Sequence, residues 1–94
     1  MTSAEDKLAH LATRFAARAV DERLELAAAL AADDREAMQT RAHKLAGVAA
    51  MFGHPAIGEA ALALELAAES GEPLVDLAMQ LDNLLADLAV SSLS

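Results

Sequence analysis

The chain has 94 residues, enough for one domain with one core, and we read 1–94 as a single unit. It has no cysteine, which excludes disulfides, thiolate nucleophiles and thiolate metal sites. Seven basic against fifteen acidic residues give a net charge of −8, and the only aromatics are two Phe, so a nucleic-acid surface and an anionic-membrane surface are both disfavoured as partners. A basic or locally basic protein partner fits better. The start, Met1-Thr2-Ser3-Ala4-Glu5-Asp6-Lys7, has neither the basic opening nor the apolar run of a secretion signal, and no uncharged apolar stretch approaches a membrane span, so a soluble cytoplasmic chain is expected.

Alanine and leucine dominate and β-branched residues are few, a composition that favours helix over sheet. Thr2 or Ser3 suits the N-cap of a first helix, with Glu5 and Asp6 placed well for the helix dipole. Leu8, Leu11 or Ala12, Phe15, Ala19, Arg23 or Leu24, Ala27 and Leu30 or Ala31 then form one apolar seam. This predicts a long helix over about 4–31, kinked or broken near Val20–Asp21, its most polar part. Asp33 or Asp34 caps the next helix, with Glu36 close behind.

The second helix is expected over about 34–52, ended by Gly53 as a left-handed cap. Pro55 after His54 opens a third, with Ile57, Ala60, Ala61, Leu64, Ala67 and Ala68 facing inward, stopped at Ser70-Gly71. Glu72-Pro73 starts a fourth with a leucine stripe at Leu74, Leu77, Leu81, Leu84 or Leu85, and Leu88, and the last residues, Ser91 to Ser94, fray. Short links between four amphipathic helices predict an all-α, antiparallel up-down-up-down four-helix bundle.

The second helix carries the candidate chemistry. At about 100° per residue, Met38, Ala42, Leu45, Ala49 and Phe52 share one side, and His43 falls nearly opposite Leu45. Its outward neighbours are Glu36, Gln39 and Thr40 on one side and Ala46, Gly47 and Ala50 on the other. Mid-helix glycine costs roughly 1 kcal/mol against alanine, so Gly47 needs a reason, and clearance for something bulky near the His43 ring is one. Neutral imidazole is nucleophilic near neutral pH and needs an exposed ring nitrogen. Gln39 is placed to orient the ring, and Lys44 and Arg41 flank it, either able to screen a phosphoryl charge. The same spacing also fits an ordinary surface histidine.

Elsewhere the sequence is blander. His54 reads as a polar cap before Pro55, and His10 as a surface or boundary histidine; three dispersed histidines do not form a metal-ligand pattern. Met38, Met51 and Met79 read as core or boundary, and Glu59, Glu65, Glu69, Asp76, Asp82 and Asp87 as solvated faces. No phosphate loop, dinucleotide fingerprint or catalytic triad order is present.

Ala42-His43-Lys44-Leu45-Ala46-Gly47 followed by Phe52-Gly53 resembles the signature of histidine phosphotransfer (HPt) domains of bacterial two-component phosphorelays, and Leu64-Glu65 sits where many members have a Leu-Glu pair. The likeness extends to Phe15, the Leu26–Leu30 run, the Asp33-Asp34 turn and the hairpin after Gly53, nearly the whole chain. The sequence departs from the family at its lysine three residues after the histidine, here Ala46; Lys44 lies about 200° away around the helix and does not replace it.

The resemblance implies that His43 accepts a phosphoryl group at Nε2 from a receiver-domain aspartate and passes it to another receiver. It implies no kinase activity in this chain, no cofactor of its own, and Mg²⁺ held by the receiver. Partners would be response-regulator receivers or a hybrid histidine kinase, docking over Gln39, Thr40, Lys44, Ala46, Gly47 and Ala50. Two other readings use the same residues: a non-phosphorylatable helical module that docks on a receiver or kinase, and a plain adaptor or dimerising bundle, with Leu62 and Leu66 as an exposed apolar face.

Overall fold

A computed structural model describes residues 4–91, apart from the side chains of Glu5 and Leu8. The expected caps at Thr2 or Ser3, the place of Leu8 in the seam and the tail 92–94 lie outside the described residues. Five helices account for the described chain: α1 (Ala4–Ala17), α2 (Ala19–Ala31), α3 (Arg35–Met51), α4 (Pro55–Ser70) and α5 (Val75–Ser91). The all-helical expectation is met, but with five helices in place of four.

The expected first helix divides at Arg18, two residues before the predicted weak point. Arg18 keeps helical dihedrals, and its N–H is shared between the carbonyls of Arg14 and Phe15, both at 3.1 Å. Neither Gly nor Pro marks the break, so the sequence carries no signal for it. The buried seam nevertheless runs through the break in continuous helical phase. Phe15 and Ala16 are buried at the end of α1, and Ala19, Leu26 and Ala29 in α2, while Leu24, expected as an alternative seam position, is 65 % exposed and Ala27 is exposed.

The links follow the local chemistry. Asp34 caps α3 by accepting a hydrogen bond from the Ala37 N–H at 3.1 Å. Gly53, in the left-handed region at φ 76°, ends α3, and the His54 N–H reaches back to the Ala49 carbonyl at 2.9 Å. Pro55 opens α4 as expected, but His54 makes no side-chain cap; its ring lies 5.7 Å from Phe15, which also stacks on Phe52 at 6.0 Å. The helix after Glu72-Pro73 begins at Val75, slightly later than the proline suggested.

Helices α2 to α5 form a ring in which α2 touches α3 and α5, and α4 touches α3 and α5, with the α3–α4 contact the most extensive. The predicted inward stripes of α3, α4 and α5 fill its centre: Met38, Ala42, Leu45 and Ala49 meet Ile57, Ala61 and Leu64, with Leu81 and Leu85 opposite. At Gly58 α4 passes beside the backbone of α3, where an added Cβ would sit in ordinary contact, 3.6 Å from the Ala46 carbonyl and 3.8 Å from the Ala50 nitrogen. Met51 and Met79, expected as core or boundary, are 67 % and 56 % exposed.

Three arginines tie helices together. Arg23 reaches Asp82 on α5 through two hydrogen bonds of 2.8 and 3.1 Å, and the bound carboxylate, through those bonds and then its charge, holds the guanidinium above its usual pKa. Arg41 pairs with Glu22 and Glu25 on α2. Arg35, at the start of α3, donates to the carbonyls of Ala67 and Glu72, supplying a cation to the C-terminal end of α4, whose own last turn has none.

Candidate functional site

Helical phase puts Met38, Ala42, Leu45 and Ala49 inward on α3, so residue 43 must point out. His43 does: its side chain is 74 % exposed, in the middle of the helix. The ring is nevertheless held. Its Nδ1 lies 2.8 Å from Oε2 of Glu65, a carboxylate on α4 whose side chain is only 15 % exposed. A carboxylate can only accept, so the bond requires the proton on Nδ1. The Nε2 lone pair is then directed away from Glu65, with no hydrogen-bond partner among the described residues.

Glu65 is the functional candidate that reading α4 alone misplaced. It was expected on a solvated face, and on its own helix that reading is sound. Its role comes from the antiparallel register of α3 and α4, seen in the pairs Gln39–Glu69, His43–Glu65 and Ala46–Gly58, where one number rises as the other falls. The signal available in the sequence was the Leu64-Glu65 pair itself.

The other expected site residues divide. Gln39 does not orient the ring; its amide donates to Glu69 at 3.0 Å, one turn further along α4. Arg41 does not flank the ring as a free cation, being held by Glu22 and Glu25. Thr40 and Lys44 are exposed on the side of α3 facing α2, where both line a polar groove with Arg18 and Glu22. Ala46 is half-buried toward α4, at the close approach to Gly58, and is therefore less part of the bare outer face than its position on the wheel implied. Ala50 is exposed and, with Ala46, Gly58 and Leu62, lines an apolar groove between α3 and α4. Leu62 and Leu66 are 47 % and 53 % exposed, so the α4 face beside Glu65 is open and apolar.

Gly47 gives the clearest result. It is exposed, and a Cβ added to it would meet nothing within 4 Å. No packing contact inside this chain requires a glycine there, and its backbone is not left-handed. Alanine there would be worth about 1 kcal/mol more in a helix, so the glycine leaves the turn above His43 bare at a cost to helix stability.

The arrangement suits a nucleophile with one free nitrogen, a fixed tautomer and open access. Among the described residues no three His, Cys, Asp or Glu converge on one point. No helix is long and apolar enough to cross a membrane among the described residues. Comparison with protein families matches residues 10–91 to the model described as Hpt domain. No curated protein and no solved structure matches the chain significantly.

Proposed function

Because the chain belongs to the Hpt domain family, whose role is histidine phosphotransfer in phosphorelays, we propose that His43 is its phospho-acceptor and that it carries a phosphoryl group from the aspartate of one receiver domain to that of another. The observation that supports this best is the exposed His43 ring with Nδ1 tied to Glu65. The Nε2 lone pair attacks phosphorus, the bond from phosphorus to the aspartyl oxygen breaks, and the aspartate leaves as carboxylate. The Nδ1 proton stays in place, the ring becomes positive, and Glu65 offsets that charge. Transfer onward reverses the step: the P–Nε2 bond breaks and a neutral imidazole leaves.

The chemistry is positioning and charge stabilisation, which a rigid bundle can supply without a nucleotide site. In this reading the chain has no kinase activity, Mg²⁺ resides in the acidic pocket of the receiver, and α2 to α5 serve as an up-down-up-down scaffold in the cytoplasm. The receiver docks across Thr40, His43, Gly47 and Ala50. A second reading, a docking module that carries no phosphate, draws support from Ala46 at the family's lysine position.

One experiment separates the two. Purified receivers, phosphorylated with acetyl phosphate and Mg²⁺, are mixed with the wild type and with His43→Gln. A carrier takes up acid-labile, base-stable label that His43→Gln does not. No label on wild type from any receiver refutes the carrier reading, and label on His43→Gln refutes the assignment of the site.

A further inference from the structure

Of the seven basic residues in this acidic chain, Arg23, Arg35 and Arg41 are engaged in clips between helices. The remaining four, Lys7, Arg14, Arg18 and Lys44, make no side-chain ion pair or hydrogen bond among the described residues, and all are exposed. They are not scattered. Lys7, Arg14 and Arg18, with Leu11 between, follow each other at spacings of four, three and four, so they form one stripe along α1 and into the break before α2. Lys44 faces them from α3.

Between these cations lies a slot of about 340 Å³, rimmed by Arg14, Arg18 and Lys44. Its floor is apolar, made by Leu11 and Phe15 from α1 and Val48 and Phe52 from α3. Leu11 is 44 % exposed and Val48 36 %, so the floor presents hydrocarbon to whatever enters. Glu22 is the one acid in the lining, and Arg41 already holds it.

We infer that this slot seats an acidic amphipathic helix on the docking receiver and so decides which receivers the protein serves; the inference rests on the transfer reading above for the identity of the partner. Three features carry it. Three of the four uncommitted cations, Arg14, Arg18 and Lys44, border one slot on a chain of net charge −8, and Lys7 extends their stripe along α1. The stripe from Lys7 to Arg18 runs for about 16 Å, roughly three turns, at 1.5 Å per residue, which matches a short helix rather than a small anion. The slot also adjoins the nucleophile: around α3 the exposed residues His43, Gly47, Met51, Lys44 and Val48 follow in angular order, so a partner seated in the slot overhangs Gly47.

The test is the double charge reversal Arg14→Glu/Arg18→Glu, on exposed positions remote from the reacting nitrogen. Transfer from the phosphorylated receiver panel is measured at low and high salt, beside labelling of His43 by phosphoramidate, a small donor that needs no docking. The expected result is a fall of about tenfold or more in the receiver rate, with the salt dependence of the wild type flattened. Phosphoramidate labelling and circular dichroism stay at wild-type values. A receiver whose docking helix has an acid changed to Lys regains transfer to the double variant. Wild-type receiver rates and salt dependence in the double variant overturn the inference. So does binding of the wild type to phosphatidylglycerol vesicles or duplex DNA that the variant loses while receiver transfer persists. Failure of the transfer reading is distinguishable: wild type then takes no label from receivers or phosphoramidate, and the slot is judged by calorimetric binding of unphosphorylated receivers, where the same loss supports it and equal binding overturns it.

Discussion

Replacing Glu65 separates what its charge does from what its shape does. Glu65→Gln keeps an oxygen able to accept from Nδ1 but removes the charge, and Glu65→Ala removes both. Two opposing effects must be weighed. The carboxylate sits 2.8 Å from Nδ1 and favours the positive charge that the ring gains as Nε2 bonds to phosphorus. It also repels the anionic donor, which lies across the ring at roughly 6–7 Å, where the Coulomb energy per charge is about half as large. A hydrogen bond involving a charged group contributes about 1.5–3 kcal/mol, and the lower end applies because the His43 side chain is 74 % exposed. The net effect is about 1–2 kcal/mol in favour of reaction, or a loss of roughly 5–30-fold in rate on truncation.

Phosphoramidate is the donor of choice, since it labels His43 without a receiver and reports on the ring alone. The expected order is wild type, then Glu65→Gln, then Glu65→Ala, with nitrogen-15 NMR showing the Nδ1–H tautomer in wild type and a mixture in Glu65→Ala. Wild-type labelling and an unchanged tautomer in Glu65→Ala would refute the role assigned to this contact. A general loss of structure is excluded in the same sample by the helical circular dichroism.

Three further outcomes are expected. Gly47→Ala raises stability by about 0.5–1 kcal/mol, read as a higher Tm, because the added Cβ enters open space; Gly47→Glu keeps the fold and phosphoramidate labelling but slows transfer from receivers, whereas a large loss of helicity would make the glycine structural. Arg35→Ala removes two hydrogen bonds to carbonyls at the end of α4 and should cost about 1–2 kcal/mol in urea denaturation; no change in the midpoint would show that solvent replaces those bonds fully.

What could be read from the sequence was whatever one helix decides for itself. The stripe Met38, Ala42, Leu45 and Ala49 is 0–3 % exposed, and its phase alone placed His43 outside. The caps at Asp34, Gly53 and Pro55 also depend on neighbouring residues only, and they stand where expected. What could not be read was decided between helices. Glu65 meets His43, and Gln39 turns to Glu69, because of how α3 and α4 slide along each other, a register that no local spacing encodes. The break at Arg18 has no proline or glycine to announce it, yet the seam keeps its phase across it: Leu26 and Ala29 fall in line with Phe15 and Ala19, while Leu24 lies about 180° from Phe15 and turns out. His54 lost its capping role to ring packing against Phe15, a contact supplied by a helix distant in sequence.

Gly58 bears on more than packing. It marks where α4 passes the backbone of Ala46 and Ala50, with room for a Cβ at 3.6 Å but for little beyond it, and the spacing of these two helices also sets the Nδ1–carboxylate distance at residue 43. A side chain that pushed the helices apart by less than an ångström would lengthen a 2.8 Å contact toward the limit beyond which a hydrogen bond is lost. Volume changes at Ala49 or Ala61, both fully buried in the same seam, would be transmitted to the ring in the same way. Drift in the core and the tying of the ring are therefore coupled here, and on the proposed carrier role substitutions that look neutral for folding are expressed as changes in how fast the histidine gives up its cargo.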